Sequence, residues 1–130
     1  TIVTGCATWN AEKAMAFAED WLQTYPEINC IAAASDEMAI GVIQALEGAN
    51  VDMDKFLVFG VDGTEAGQEY IRSGELDATS YQDVPKAVSK ILEVCVGLVN
   101  GQTFDKEINP QNYFPMTIDN IDELVGSAAK

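Results

Sequence analysis

Four side chains have the types and positions to hold a small polar ligand: Trp9, Ser35, Asp62 and Gln82. Leu57-Val58-Phe59-Gly60-Val61 is an apolar run without helical period that stops at Asp62-Gly63, the pattern of a buried parallel strand ending in a tight loop. Asp62 then stands at a strand's carboxyl end, where the loops of an open α/β sheet form a ligand crevice. A carboxylate placed there can accept two hydrogen bonds; Asp-Gly is equally a turn dipeptide in its own right. Ser35 follows the apolar run over residues 30–34, and Gln82 follows the run over residues 76–80, so three strand ends each offer a hydrogen-bonding side chain. Trp9 lies in the loop after a strand-like run over residues 2–7, outside any helical stripe. An indole face there can stack on a ligand that combines C–H patches with hydroxyls, or it can plug the loop against its own domain.

Other chemistry is excluded by what the chain lacks. With no histidine, it has no Ser-His-Asp or Cys-His constellation and no imidazole acid–base catalysis or zinc-protease motif. No G-x-G-x-x-G follows a strand and no G-x-x-x-x-G-K-[ST] occurs, so no dinucleotide or nucleotide cofactor is expected. Asp36 and Glu37, adjacent at a helix start, read as cap and dipole partners rather than as an acid–base pair. Asp52 and Asp54 lack the Gly and distal Glu of a calcium loop. Cys6, Cys30 and Cys95 lie far apart in apolar settings and read as small buried hydrophobes, neither a metal site nor a disulfide framework. The expectation is a binding protein, not an enzyme, with no metal.

Alternating strands and helices must position these groups. Asn10 caps a helix over residues 11–24, whose Ala14, Phe17, Ala18, Trp21 and Leu22 make one buried stripe. A strand over residues 30–34 leads to Ser35 or Asp36 as cap of a nearly all-apolar helix reaching Leu46. After the strand at Leu57, Thr64 caps a helix over residues 65–73 that Gly74 stops, and residues 76–80 form the next strand. Val84-Pro85 opens a long helix to Asn100, striped by Val88, Ile91, Leu92, Cys95, Val96 and Val99. A polar connector over residues 102–111 precedes a strand-like run over residues 113–118, which Pro115 assigns to an edge or a crossing segment; Asp119 or Asn120 caps a closing helix to Ala128. This alternation predicts an α/β fold with a mostly parallel sheet and helices on both faces.

At 130 residues the chain is one domain's worth, able to hold a core without staples. Its net charge of −14 with seven basic residues argues against nucleic acid and anionic membranes as partners. No apolar run approaches the roughly 20 residues that span a bilayer, and Thr1 opens on a strand-like run where a signal peptide would carry a charged region and an apolar core.

The motifs Pro26-Glu27-Ile28 before a strand, Ser35-Asp36-Glu37-Met38-Ala39-Ile40-Gly41, Gly60-Val61-Asp62-Gly63-Thr64, and Gly74-Glu75-Leu76-Asp77-Ala78-Thr79 running to Gln82 are similar in order and spacing, over nearly the whole chain, to those of a known family. The sequence resembles the sugar-binding proteins of bacterial ABC transporters, typified by ribose-binding protein, with the periplasmic binding protein type I fold. Repressors of the LacI type carry a related effector domain, and an upstream helix-turn-helix instead of a signal peptide would mark one. A receiver-like signalling domain shares the length and the alternation but needs an acidic pair after the first strand and a lysine near Ser80-Tyr81-Gln82, and this chain has neither.

The resemblance implies a single domain over residues 1–130, the C-terminal ligand-binding lobe, with residues 83–112 belonging to the other lobe of a longer protein. It implies an extracytoplasmic, periplasmic or membrane-anchored location, a monosaccharide ligand and delivery to ABC permease subunits. It places Trp9 as the ring-stacking aromatic, and Asp62 and Gln82 as the carboxylate and amide that bind hydroxyls. Ser35 departs from the family, where Asn is frequent. The lobe's first strand would precede Thr1, beside residues 2–7 and 30–34, so that the isolated chain would expose a sheet gap and an apolar helix face and exchange elements with a second copy.

Overall fold

The computed structural model describes residues 2–106 and 113–128, excluding the side chains of 127 and 128. The first helix, α1 (Ala11–Thr24), begins where the Asn10 side chain accepts the Lys13 N–H at 2.8 Å. Ala14 and Ala18 are buried, while Phe17 and Trp21 are half-buried and stack with ring centroids 5.5 Å apart. α2 (Asp36–Gly48) begins at Ser35, whose hydroxyl accepts the Met38 N–H at 3.3 Å. It packs against α1, where a side chain at Gly41 would collide with the Ala11 carbonyl, so the two backbones touch directly.

Four strands lie in sequence order: β1 (Cys30–Ala32), β2 (Leu57–Asp62), β3 (Ala78–Gln82) and β4 (Tyr113–Met116). The first three are parallel, with Ile31 beside Val58 and Gly60 beside Thr79. β4 runs antiparallel along β3, an edge position that tolerates Pro115. α3 (Glu65–Ser73) starts where Thr64 accepts the Gly67 N–H and stops at Gly74, whose φ of 87° is a left-handed cap. Arg72 pairs with Asp122 on α5 (Ile121–Ala128) at 2.8 Å. Ile31, Val58, Gly60, Thr79 and Tyr81 share the buried side of the sheet with α2; on the other side Leu57 is exposed and Phe59 and Val61 are half-buried.

Several sequence expectations are corrected. Residues 2–7 form no strand, because β1 is hydrogen-bonded to β2 and a cleft of about 600 Å³ separates its free side from residues 2–5. An extended segment without a neighbour has no ladder to join. β3 starts at Ala78 instead of residue 76, because Asp77 meets the backbone of Val58 with its side chain. The cysteines are exposed, not buried: Cys6 lies in the unpaired segment, Cys30 on the sheet's outer strand and Cys95 on a helix whose apolar stripe stands largely exposed.

That helix, α4 (Val84–Val99), is capped by Asp83 and anchored at its start by Lys86 over the Phe114 ring, 5.8 Å from its centroid. It does not close over the sheet. Ile91, Leu92 and Val96 are more than half exposed and Val99 is 88 % exposed; among its described residues only Gly97 is buried, beneath Phe104. Of the connector expected over 102–111, residues 107–111 lie outside the described residues.

Candidate functional site

Three of the four candidate side chains stand where the parallel strands end. Asp62 is the last residue of β2 and Gln82 the last of β3, with the register step from Asp62 to Tyr81 placing them on one rim. Ser35 follows β1 and caps α2, and it is 5 % exposed, its oxygen already accepting the Met38 N–H. A capping hydroxyl keeps its proton, so Ser35 still has one donor to offer.

Trp9 is held differently. Thr8 and Trp9 both take φ of 53°, a left-handed pair that turns the chain back so that Asn10 can donate to the Ala7 carbonyl at 3.1 Å. The Lys13 ammonium reaches the Thr8 hydroxyl at 2.9 Å. This leaves the indole 73 % exposed at the edge of a cavity of about 230 Å³ that it shares with Ala33 and Ala34, the residues leading to Ser35. Phe17, Trp21 and Met38 supply its apolar floor. Trp9 is therefore a free aromatic face beside one end of the rim and not a plug in the core.

At the centre of the rim the backbone is strained. Asp62 has φ of 110° and Gly63 φ of 72°, values that an L side chain rarely adopts. A side chain at Gly63 would also run into Tyr81. The Gln68 amide donates to the Gly63 carbonyl at 2.8 Å, holding the turn from α3. Desolvation first, and the charge of Asp36 second, push the Asp62 carboxyl above the usual carboxylate range. A carboxylate short of solvent and hydrogen-bond donors can use those of a ligand. Burial, with Asp83 adding to it, likewise raises the Tyr81 phenol.

Sequence reasoning gave Asp36 the part of a helix cap or dipole partner; the structure gives the cap to Ser35 and buries Asp36 completely. Its carboxylate accepts from the backbone and the hydroxyl of Thr64, at 2.7 and 3.1 Å, and from the hydroxyl of Thr79 at 2.5 Å. The signal in the sequence was indirect: Gly60 and Gly67, where any side chain would strike this carboxylate.

A rim of polar groups at parallel strand ends beside an exposed indole is how an α/β lobe presents a small polar molecule to solvent or to a second lobe. Residues 1–103 match the sequence profile described as the periplasmic binding protein domain. The chain belongs to the periplasmic binding protein family. It is 31 % identical over 121 residues to the xylitol-binding protein of Mycolicibacterium smegmatis, covering 92 % of this chain and 34 % of that protein. It is 30 % identical over 102 residues to a putative rhizopine-binding protein of Rhizobium meliloti, covering 78 % and 33 %.

Among solved structures, an ABC transporter solute-binding protein of Bacillus halodurans with bound myo-inositol aligns with a TM-score of 0.84 at 32 % identity, over 95 % of this chain and 42 % of that one. One from Actinobacillus succinogenes with bound D-allose aligns with a TM-score of 0.83 at 29 % identity, over 94 % and 43 %. The chain thus spans about a third of the length of these curated relatives. The periplasmic binding protein family is extracytoplasmic and its members here are named for binding, not catalysis. No helix among the described residues is long and apolar enough to cross a membrane.

Proposed function

We propose that this chain is the C-terminal lobe of an extracytoplasmic solute-binding protein that takes a monosaccharide or similar polyol and delivers it to ABC permease subunits. The observation that carries the reading is the placement of the Asp62 carboxylate, partly desolvated, on a strained turn at the carboxyl end of β2, beside Gln82 at the end of β3. Asp62 and Gln82 supply an acceptor and an amide for vicinal hydroxyls, Ser35 a donor between β1 and α2, and Trp9 a face for ring C–H groups. Xylitol, myo-inositol and D-allose, named with the relatives, all combine adjacent hydroxyls with C–H surface.

The opposite wall of the pocket belongs to a second lobe that closes by hinge motion, and residues 83–112, with α4 exposed, belong on that lobe. Separated from it, the apolar stripe of α4 pairs with a second copy, by exchange of the helix. The test is calorimetry on the longer protein against xylitol, myo-inositol, D-allose and ribose. Asp62→Ala should weaken the best of them by about 1–3 kcal/mol, the cost of partner groups left unpaired. Unchanged affinity would overturn the site assignment.

A further inference from the structure

Asp36 has no exposed surface, and the proposed ligand contacts make no direct use of it. Burying a carboxylate is costly unless its oxygens are occupied, and here they are occupied by a built arrangement. Oδ2 accepts the Thr64 N–H and O–H, and Oδ1 accepts the Thr79 O–H. The Thr64 hydroxyl also accepts the Gly67 N–H at 3.0 Å, which leaves its single proton for Asp36. Gly60 and Gly67 form a cradle around the carboxylate that no larger residue would leave open.

The groups Asp36 grips flank the strained turn. Thr64 lies just beyond Asp62 and Gly63, with φ of 110° and 72°. Thr79 lies on β3 beside Gly60, and two residues on is Tyr81, which pairs with Asp62 and packs on Gly63. A positive-φ aspartate persists only where the surroundings over-determine it. Asp36 joins α2, the turn and β3 from beneath, and the Gln68 amide adds a tie from α3.

We propose that Asp36 is a positioning residue for Asp62: by clamping Thr64 and Thr79 it holds the turn that presents the Asp62 carboxylate to the ligand. The proposal rests on the reading of Asp62 as a ligand-binding group, and its test needs no ligand, so each can fail alone.

The measurement is NMR of the 130-residue chain, following the three-bond HN–Hα coupling of Asp62, which reports its φ, and the titration of its carboxyl carbon. In Asp36→Ala the coupling should move towards the extended value and the Asp62 midpoint should fall, since a negative neighbour is gone. Asp36→Asn keeps the shape without the charge, its oxygen accepting from Thr64 and its amide N–H donating to the Thr79 hydroxyl: it should restore the coupling while the midpoint stays low, a split that a general loss of packing would not produce. If Asp36→Ala fails to fold, Thr79→Val decides, because it retains the charge and removes one donor; amide protection from Asp62 to Thr64 should drop while that of α1 is unchanged. An Asp62 whose coupling and midpoint are unaltered in Asp36→Ala, or whose protection is unaltered in Thr79→Val, would overturn the proposal.

Discussion

Asp77 Oδ2 accepts the backbone N–H of Val58 at 2.7 Å, while the Asp77 N–H donates to the Val58 carbonyl at 3.1 Å. A side chain thereby supplies the last rung before the β2–β3 ladder begins. Val58 has no exposed surface, so its N–H has no water to turn to. Asp77→Ala should cost about 1–3 kcal/mol, the penalty for an orphaned buried donor, and Asp77→Asn, which keeps an acceptor, should recover most of it. Urea midpoints of the three proteins check this; equal losses for Ala and Asn would contradict it.

The same carboxylate acts on a thiol. Cys30 on β1 has its pKa raised, mainly by desolvation and secondarily by the charge of Asp77. The thiolate is the reacting form, so alkylation of Cys30 at fixed, mildly alkaline pH should be faster in Asp77→Asn. Mass spectrometry of iodoacetamide-labelled peptides reads the rate, with Cys95, on a separate helix, as the internal reference. A Cys30 rate that stays constant or slows would refute the coupling.

Asp62 makes stability depend on pH in a defined direction. Its folded pKa is raised, by desolvation first and Asp36 second, so it binds its proton more tightly folded than unfolded. The stability linked to it is fully present below the unfolded value of about 3.9 and is lost as pH rises through the higher folded one. Asp62→Asn does not titrate. The variant's urea midpoint should therefore gain on that of the unaltered chain between about pH 3 and about pH 7, at the expense of binding, and a gap that is constant or narrows would speak against it.

α4 carries an unpartnered apolar surface: Ile91, Leu92, Val96 and Val99 stand more than half exposed on one helix. A soluble monomer rarely leaves so continuous an apolar stripe in water. Sedimentation of the isolated chain at micromolar concentration should show association, and Ile91→Glu with Val96→Glu should reduce it to monomer. Monomeric behaviour of the unaltered chain would end the reading.

Legibility of the fold followed locality. The bounds of α1 and α3, the caps Asn10 and Thr64, and the stop at Gly74 depend on residues within a turn of each other, and the structure agrees with all of them. The strand over residues 2–7 was misread because its apolar pattern carries no information on whether a neighbour exists. β3 was placed two residues early because a side chain imitating a ladder bond looks like any aspartate. The site divides the same way. Asp62 announces itself by ending an apolar run and Gln82 by following a strand-like one, whereas Asp36 acts through Thr64 and Thr79, 28 and 43 residues away, a relationship that exists only after folding.

The order of the sheet bears on how the chain is made. Each strand is the neighbour of the next one to be synthesised: Cys30 pairs with Leu57, Phe59 with Ala78, and only then does Thr79 wait across α4 for Met116. Such a staircase can be laid down from one end as the polypeptide leaves the ribosome, each new strand finding its template already in place. The buried Asp36 meets the Thr64 hydroxyl first, but its other carboxylate oxygen waits for Thr79, so the clamp beneath the rim is complete only once β3 has emerged.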